Sequence, residues 1–147
     1  MKQFSIVFSI FFIAALLSCK KDEPDDLLIG TWKATKLVNS GCTDPEENQN
    51  LTFTNGCYGE SLLGLEICLT AIFNSNETYS SITKTTFLGS TQTETESGTY
   101  SISNGKLTIC ATGSPCEISN FTVSENTLNI IVKDTDTNCT SELTFAK

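Results

Sequence analysis

The sequence contains no histidine and no arginine, and it has one methionine and one tryptophan among its 147 residues. Without histidine, a serine or cysteine nucleophile has no imidazole base to activate it. Without arginine or any long run of lysine, the chain lacks the basic surface that neutralises nucleic-acid phosphates. These absences predict a protein that is not an enzyme, needs no cofactor or metal and does not bind nucleic acid.

Long apolar runs are also missing, with one exception near the N-terminus. Residues 4–17 are almost wholly apolar, follow the positive Met1-Lys2 pair, and end at Ser18 and Cys19. This order is typical of a cleaved secretory signal, and the run is shorter than the ~20 residues that a membrane-spanning helix needs.

The Leu16-Leu17-Ser18-Cys19 ending resembles the lipobox of bacterial lipoproteins. The resemblance implies that residues 1–18 are a signal peptide and that Cys19 becomes the first residue, carrying acyl chains such as palmitate. Several acyl chains would anchor the protein stably in a membrane, whereas one chain alone binds marginally. Two other interpretations stay open, namely an ordinary signal peptide with a chance cysteine and a short N-terminal membrane anchor.

Residues 19–26 are predicted to form a solvated tether, because residues 20–26 are two lysines, four acids and one proline. An acidic run directly after a lipidated cysteine also resembles the surface-export signal of lipoproteins in the Bacteroidota. Cleavage before Cys19 leaves eight lysines against seventeen acidic residues, a net charge of −9. We expect a protein of the cell envelope, attached by lipid to the outer membrane on its periplasmic or cell-surface face.

Six cysteines follow Cys19, an even number that predicts three disulfides in an exported chain. They are Cys42, Cys57, Cys68, Cys110, Cys116 and Cys139. A metal site is the alternative, but the sequence has neither histidine nor a paired Cys-x-x-Cys spacing. Fifteen pairings are formally possible.

Residues 27–147 are predicted to form one all-β domain. Apolar segments alternate with turn residues roughly every eight to twelve residues, and Asn104-Gly105 is a strong hairpin signal. The eight predicted strands cover residues 28–38, 65–73, 78–87, 95–102, 106–110, 117–123, 127–133 and 140–145. Joined in succession, they predict an eight-stranded antiparallel up-and-down barrel in which the first strand pairs with the last.

The connections between these strands fall into two sets. Three are tight turns, whereas residues 39–64 form one long connection and three others have five to seven polar residues. In such a barrel the two sets emerge at opposite ends, which we call the closed end and the mouth. The cysteines fall at or beside the mouth, and this geometry favours Cys42 with Cys139, Cys110 with Cys116, and Cys57 with Cys68.

Leu28-Ile29-Gly30-Thr31-Trp32 at the start of such a barrel resembles the lipocalins. With a Phe73–Tyr79 hairpin and a Gly98-x-Tyr100 strand, the chain is similar to the lipocalin-like lipoproteins of Bacteroidota. The resemblance implies that Gly30 and Trp32 lie at the closed end and that four long loops rim an open mouth. The favoured interpretation of Trp32 is a core aromatic that contacts no ligand.

Two departures from the lipocalin pattern imply a small or filled cavity. The basic residue that packs over the tryptophan is missing, since there is no arginine, and no helix sequence follows the last strand. Glu94 and Glu96 are expected on a polar loop or a solvated outer face. The tether joins the first strand, so we expect the closed end to face the membrane.

Two functions fit these expectations. The first is a barrel that binds or carries a small apolar or amphipathic ligand, whose candidate contacts are Ile67, Leu69, Phe73, Tyr100 and Leu128, with Tyr58, Leu62 and Leu63 as a lid. The second is a structural or interaction module with a filled core, whose loops bind a protein or glycan partner. The volume of the interior distinguishes the two.

Overall fold

The computed structural model describes residues 24–60, 62 and 64–147. The predicted signal peptide, Cys19, the start of the tether and Leu63 lie outside these residues. The elements are α1 (Pro24–Leu28), β1 (Gly30–Ser40), a 3₁₀ turn (Pro45–Glu47), β2 (Gln49–Thr52), β3 (Cys57–Glu60), β4 (Leu65–Phe73), β5 (Thr78–Phe87), β6 (Ser90–Ser103), β7 (Lys106–Ala111), β8 (Glu117–Val123), β9 (Thr127–Lys133) and β10 (Thr140–Ala146). No helix within the described part has the length and apolar character needed to cross a membrane.

Eight of these strands close into an antiparallel barrel. β1 pairs with β10, and each strand from β10 back to β4 pairs with the one before it. The ring closes where residues 30–33 of β1 pair with residues 70–73 of β4. The predicted all-β, eight-stranded up-and-down barrel is therefore confirmed, and β4, β5, β8 and β9 have the bounds that the alternation predicted.

β1 and β4 separate beyond these four paired residues, and β2 and β3 enter the gap. β2 pairs with the second half of β1, and β3 pairs with the first half of β4. The turn between β2 and β3 lies at the point where β1 and β4 separate. There the Phe53 amide donates to the Thr35 carbonyl of β1, and the Leu69 amide of β4 donates to the Gly56 carbonyl. The closed ring therefore has eight strands, and towards the mouth β2 and β3 lie in the gap between β1 and β4 without forming a ladder with each other. The separation of β1 and β4 makes the barrel wider at the mouth than at the closed end.

The fully buried side chains of the barrel lie in its closed half. In the closed half Trp32, Leu107 and Leu128 are fully buried, as expected where eight strands leave room only for side chains. In the mouth half the inward-facing apolar side chains keep part of their surface in solvent. These half-buried residues are Leu37, Leu51, Leu69, Ile109, Val132 and Leu143.

The first strand begins later than predicted. Leu28 ends α1 instead of opening β1, and its side chain is buried with the core at the closed end. Gly30 follows with φ +138°, a backbone conformation that favours glycine and lets the chain turn from α1 into β1. Residues 24–26, predicted as the end of the tether, belong to this short helix.

β6 begins at Ser90 and not at residue 95, so the predicted loop 88–94 is wrong. β5 and β6 form one long hairpin around Leu88-Gly89, which have φ values of 49° and 83°. Residues 90–97 contain no apolar side chain, so no hydrophobic alternation marked this stretch as a strand. Instead of four long loops, the mouth has three long connections and one projecting hairpin.

Three disulfides join the pairs Cys42–Cys139, Cys57–Cys68 and Cys110–Cys116. These are the pairs that the strand order favoured. Cys57 and Cys68 are directly opposed between β3 and β4, so this bridge ties the inserted hairpin to the barrel wall. Cys42–Cys139 joins the segment after β1 to the residue before β10, and Cys110–Cys116 spans the β7–β8 connection.

Candidate functional site

The floor of the barrel is built around Trp32. Its Nε1 donates to the Leu28 carbonyl over 2.7 Å, which holds α1 against the closed end. The Lys147 Nζ lies 4.8 Å from the centre of the Trp32 ring and donates to the Leu27 carbonyl over 3.0 Å. The expectation that no basic residue packs over the tryptophan is therefore wrong. Pairing of β1 with β10 brings the lysine that follows β10 beside Trp32.

An aromatic layer lies with Trp32 in the buried core. The Phe73 ring packs edge-on against Tyr100, with centroids 5.1 Å apart, and stacks on Tyr79 at 6.4 Å. The Tyr100 hydroxyl donates to the Asn74 carbonyl over 2.9 Å. Burial is the main reason that the pKa of Tyr100 is raised, with smaller contributions from the charges of Asp25 and Glu77. The motifs that carried the sequence resemblance thus meet in one closed-end core.

Gly98 allows β6 and β7 to approach closely beside this layer. A Cβ at Gly98 would lie 2.0 Å from the Cys110 carbonyl oxygen and 2.9 Å from the Ala111 Cα. Both contacts are with backbone, which cannot move aside as a flexible side chain can. Glycine is therefore required here by space, although its φ is not positive.

The wall of the mouth half is apolar on β4, β7, β9 and β10. Strand alternation places Ile67 and Leu69 on the same inward face of β4 as the buried Phe73, and both are half-buried. From the inserted hairpin, the Phe53 and Tyr58 rings pack 6.1 Å apart. The site is thus an apolar recess above a packed floor.

A cavity of about 160 Å³ lies in the mouth half of the barrel, between β6, β7 and β8. Its lining combines apolar and acidic side chains, namely Glu96, Ile109, Ala111, Ser114, Pro115 and Glu117. At its inner edge the Tyr79 hydroxyl donates to Glu96 over 2.5 Å. Burial first, and then the hydrogen bond to Glu96, raises the pKa of Tyr79.

Glu96 is exposed, as expected of a solvated position, but it lies on the inner face of β6 and not on the outer face. The alternation that puts Gly98 and Tyr100 inward also puts Glu96 inward, once β6 extends far enough to include it. Glu94, the next residue on that face, lies two residues nearer the mouth and is exposed like Glu96. The signal for Glu96 was present in the Gly98-x-Tyr100 spacing.

The predicted ligand contacts fall into three groups. Phe73, Tyr100 and Leu128 are buried in the core, with exposed fractions of 2%, 7% and 0%. Ile67, Leu69 and Tyr58 are half-buried in the mouth half. Leu62 is 96% exposed, in the turn between β3 and β4, and does not cover the cavity in this structure.

Two groups of described residues place cysteine sulfur and carboxylate oxygen within 4.8 Å of one another. They are Cys42, Glu47 and Cys139, and Cys57, Glu66 and Cys68. In each group both cysteines form a disulfide, so their sulfur atoms are not thiolate ligands.

Comparison with known proteins gives little further information. No protein-family model and no curated protein matches the chain. Among solved structures, a deswapped triple mutant of bovine odorant binding protein is 14% identical to it, with 82% of this chain and 73% of that chain covered and a TM-score of 0.45. The barrel architecture described above rests on the strand pairings of this chain itself.

Proposed function

We propose that this protein is a lipid-anchored lipoprotein of the cell envelope whose barrel binds or carries a small apolar or amphipathic molecule. One observation carries the proposal: the barrel is packed at its closed end, whereas towards the mouth β1 and β4 separate and β2 and β3 enter the gap between them. Ligand sites of this kind are concave and largely apolar, with a few polar groups that fix orientation. The half-buried inner wall and its acidic cavity have this composition.

The binding part of the proposal is tested by native mass spectrometry of the protein released from lipid nanodiscs. We expect an added mass that survives release from the lipid. An Ala111→Trp variant fills the cavity from the inward face of β7 and should lose this mass. Thr112→Trp places the same side chain at an exposed neighbouring position and should retain it. Absence of any bound species in the unmodified protein would contradict ligand binding.

The anchoring part rests on the sequence, where residues 1–18 and Cys19 match the lipobox pattern. α1 joins β1 at the closed end, which supports an arrangement with that end towards the membrane and the mouth away from it. A Cys19→Ala variant should lose the acyl chains and the anchor they provide. Detection of an acylated N-terminal peptide in that variant would contradict the assignment.

The second candidate is an interaction module whose mouth rim contacts a protein or glycan. It is favoured by exposed apolar side chains on the rim, where Leu62, Phe87 and Leu88 are 96%, 51% and 76% exposed. The turns that carry them meet through the Leu88 amide, which donates to Gly64. Loss of partner binding in a Leu88→Ser variant with unchanged small-molecule binding would favour this function.

A further inference from the structure

We infer that the mouth of the barrel selects amphipathic molecules with an ammonium group and rejects those with a carboxylate. This inference rests on the proposed function, because it specifies the ligand class of the same recess. It follows from the two carboxylates that line the cavity, together with one buried amide oxygen on the inner face that has no hydrogen-bond partner among the described residues.

Strand register places both carboxylates on the inner face of the barrel, where both side chains are exposed to solvent. Glu96 pairs with Ser81, two residues from the buried Tyr79, and Glu117 pairs with Ile109 on the face of the buried Ser119. Both glutamates line the cavity together with Ile109, Ala111 and Pro115. An apolar chain lying on these side chains would therefore bring its polar end close to two carboxylates.

The lysines are placed elsewhere by the same alternation. Five of the six lysines in the described part of the chain lie next to inward-facing residues and point outward; they are Lys33, Lys36, Lys84, Lys106 and Lys133. The sixth, Lys147, lies over Trp32 at the closed end. Within residues 24–60, 62 and 64–147, no lysine lines the cavity that Glu96 and Glu117 share, and Lys133 lines a neighbouring hollow together with Glu117.

On the opposite wall, outside the lining of this cavity, a buried oxygen also favours a ligand that donates hydrogen bonds. Asn39 pairs with Ser141 in β10, on the inward face that Leu37 and Leu143 share. Its Oδ1 is buried and accepts no hydrogen bond from the residues that the structure describes. A buried acceptor without a donor is unfavourable, and an ammonium group can donate to it whereas a carboxylate cannot.

The buried Tyr79 strengthens the preference. Its side chain is 5% exposed, and its hydroxyl proton is already donated to Glu96. The hydroxyl is therefore not free to donate to a ligand carboxylate in the same place. A charged headgroup here therefore meets acceptors. Glu96 and Glu117 are both exposed, so salt screens their attraction or repulsion of the headgroup.

The test compares three probes with one octyl chain and different headgroups: octylammonium, octanoate and 1-octanol. Binding is measured by isothermal titration calorimetry on the full protein in phosphatidylcholine nanodiscs, with empty nanodiscs as the blank. We expect octylammonium to bind at least about tenfold more tightly than octanoate at low salt, with the ratio falling as salt is raised. The neutral alcohol should fall between them.

Matched variants separate the inner wall from the overall negative charge. The double variant Glu96→Gln/Glu117→Gln should bring the octylammonium to octanoate ratio to within about twofold, whereas Glu125→Gln, in an exposed closed-end turn, should leave it unchanged. Octanoate binding as tightly as octylammonium while 1-octanol also binds would overturn this inference and leave the proposed function standing. Failure of all three probes to bind would overturn the proposed function as well.

Discussion

The ammonium group of Lys147 lies 4.8 Å from the centre of the Trp32 ring while it donates a hydrogen bond to the Leu27 carbonyl. One side chain thus holds together β10, β1 and the N-terminal helix. A cation over an aromatic face at an exposed position contributes about 0.5–1 kcal/mol, and a hydrogen bond contributes about 1 kcal/mol.

Replacing Lys147 with methionine should therefore lower the free energy of unfolding by about 1–2 kcal/mol. Lys147→Arg keeps the charge and the donors and should cost much less. Lys133→Met, an exposed lysine at the mouth end of β9, is the control. Urea denaturation followed by Trp32 fluorescence measures all three, and equal losses for Lys147→Met and Lys133→Met would contradict the role of this contact.

Gly98→Ala should be among the most costly single-methyl substitutions in the chain. The added Cβ would meet the Cys110 carbonyl at 2.0 Å, so β6 and β7 would have to move apart. Forcing atoms into a packed site typically costs about 1–3 kcal/mol. Gly105→Ala is an informative comparison, because nothing lies within 4 Å of its Cβ position, although its φ of +70° adds strain. A Gly98→Ala protein as stable as the parent would show that the strands separate freely.

The two halves of the barrel should respond differently to truncation. Leu128→Ala removes a fully buried side chain from the closed half and should cost about 3 kcal/mol, within the usual range for buried leucine. Leu69→Ala removes a half-buried side chain from the mouth half and should cost about 1 kcal/mol. Similar losses at the two positions, measured by urea denaturation, would mean that the mouth half is packed as tightly as the floor.

Raising the pH should destabilise the fold through Tyr79. Burial and the Glu96 hydrogen bond raise its pKa in the folded state, so the unfolded state loses this proton first. The contribution is therefore complete below the ordinary tyrosine pKa of about 10 and is lost as the pH rises above it. Tyr79→Phe should flatten the decline in the free energy of unfolding between pH 9 and 11. If the Tyr79→Phe protein shows the same decline as the parent, other groups and not Tyr79 cause the loss of stability at high pH.

The three disulfides should stabilise the fold by different amounts, according to the length of chain that each one encloses. Cys42–Cys139 has a sequence separation of 97, against 6 for Cys110–Cys116. In the loop-entropy model, replacing both cysteines with serine should cost about 4–5 kcal/mol for the first bridge and about 2 kcal/mol for the second. Denaturation of the two double variants without reductant gives the comparison. The reverse order would show that native-state contacts outweigh loop entropy.

Alternation and turn residues sufficed to predict the barrel, because β4, β5, β8 and β9 carry apolar residues on one face and end at polar turns. The disulfide pairs followed from the strand order alone. Residues 90–94 were missed because their strand conformation comes from pairing with β5 and not from any apolar side chain. Lys147 was missed because its contact with Trp32 depends on three-dimensional proximity, which charge counting along the sequence does not reveal.

The inserted strands β2 and β3 have a cost that a fully closed barrel avoids. Each is paired along one side, and between them the described residues form the single bridge Thr54–Cys57. Two strand edges therefore remain near the mouth, and exposed edges are where chains add to one another and aggregate. Each edge is only four residues long, which gives another chain little backbone to pair with. The barrel thus gains width at its mouth while presenting a poor template for self-association.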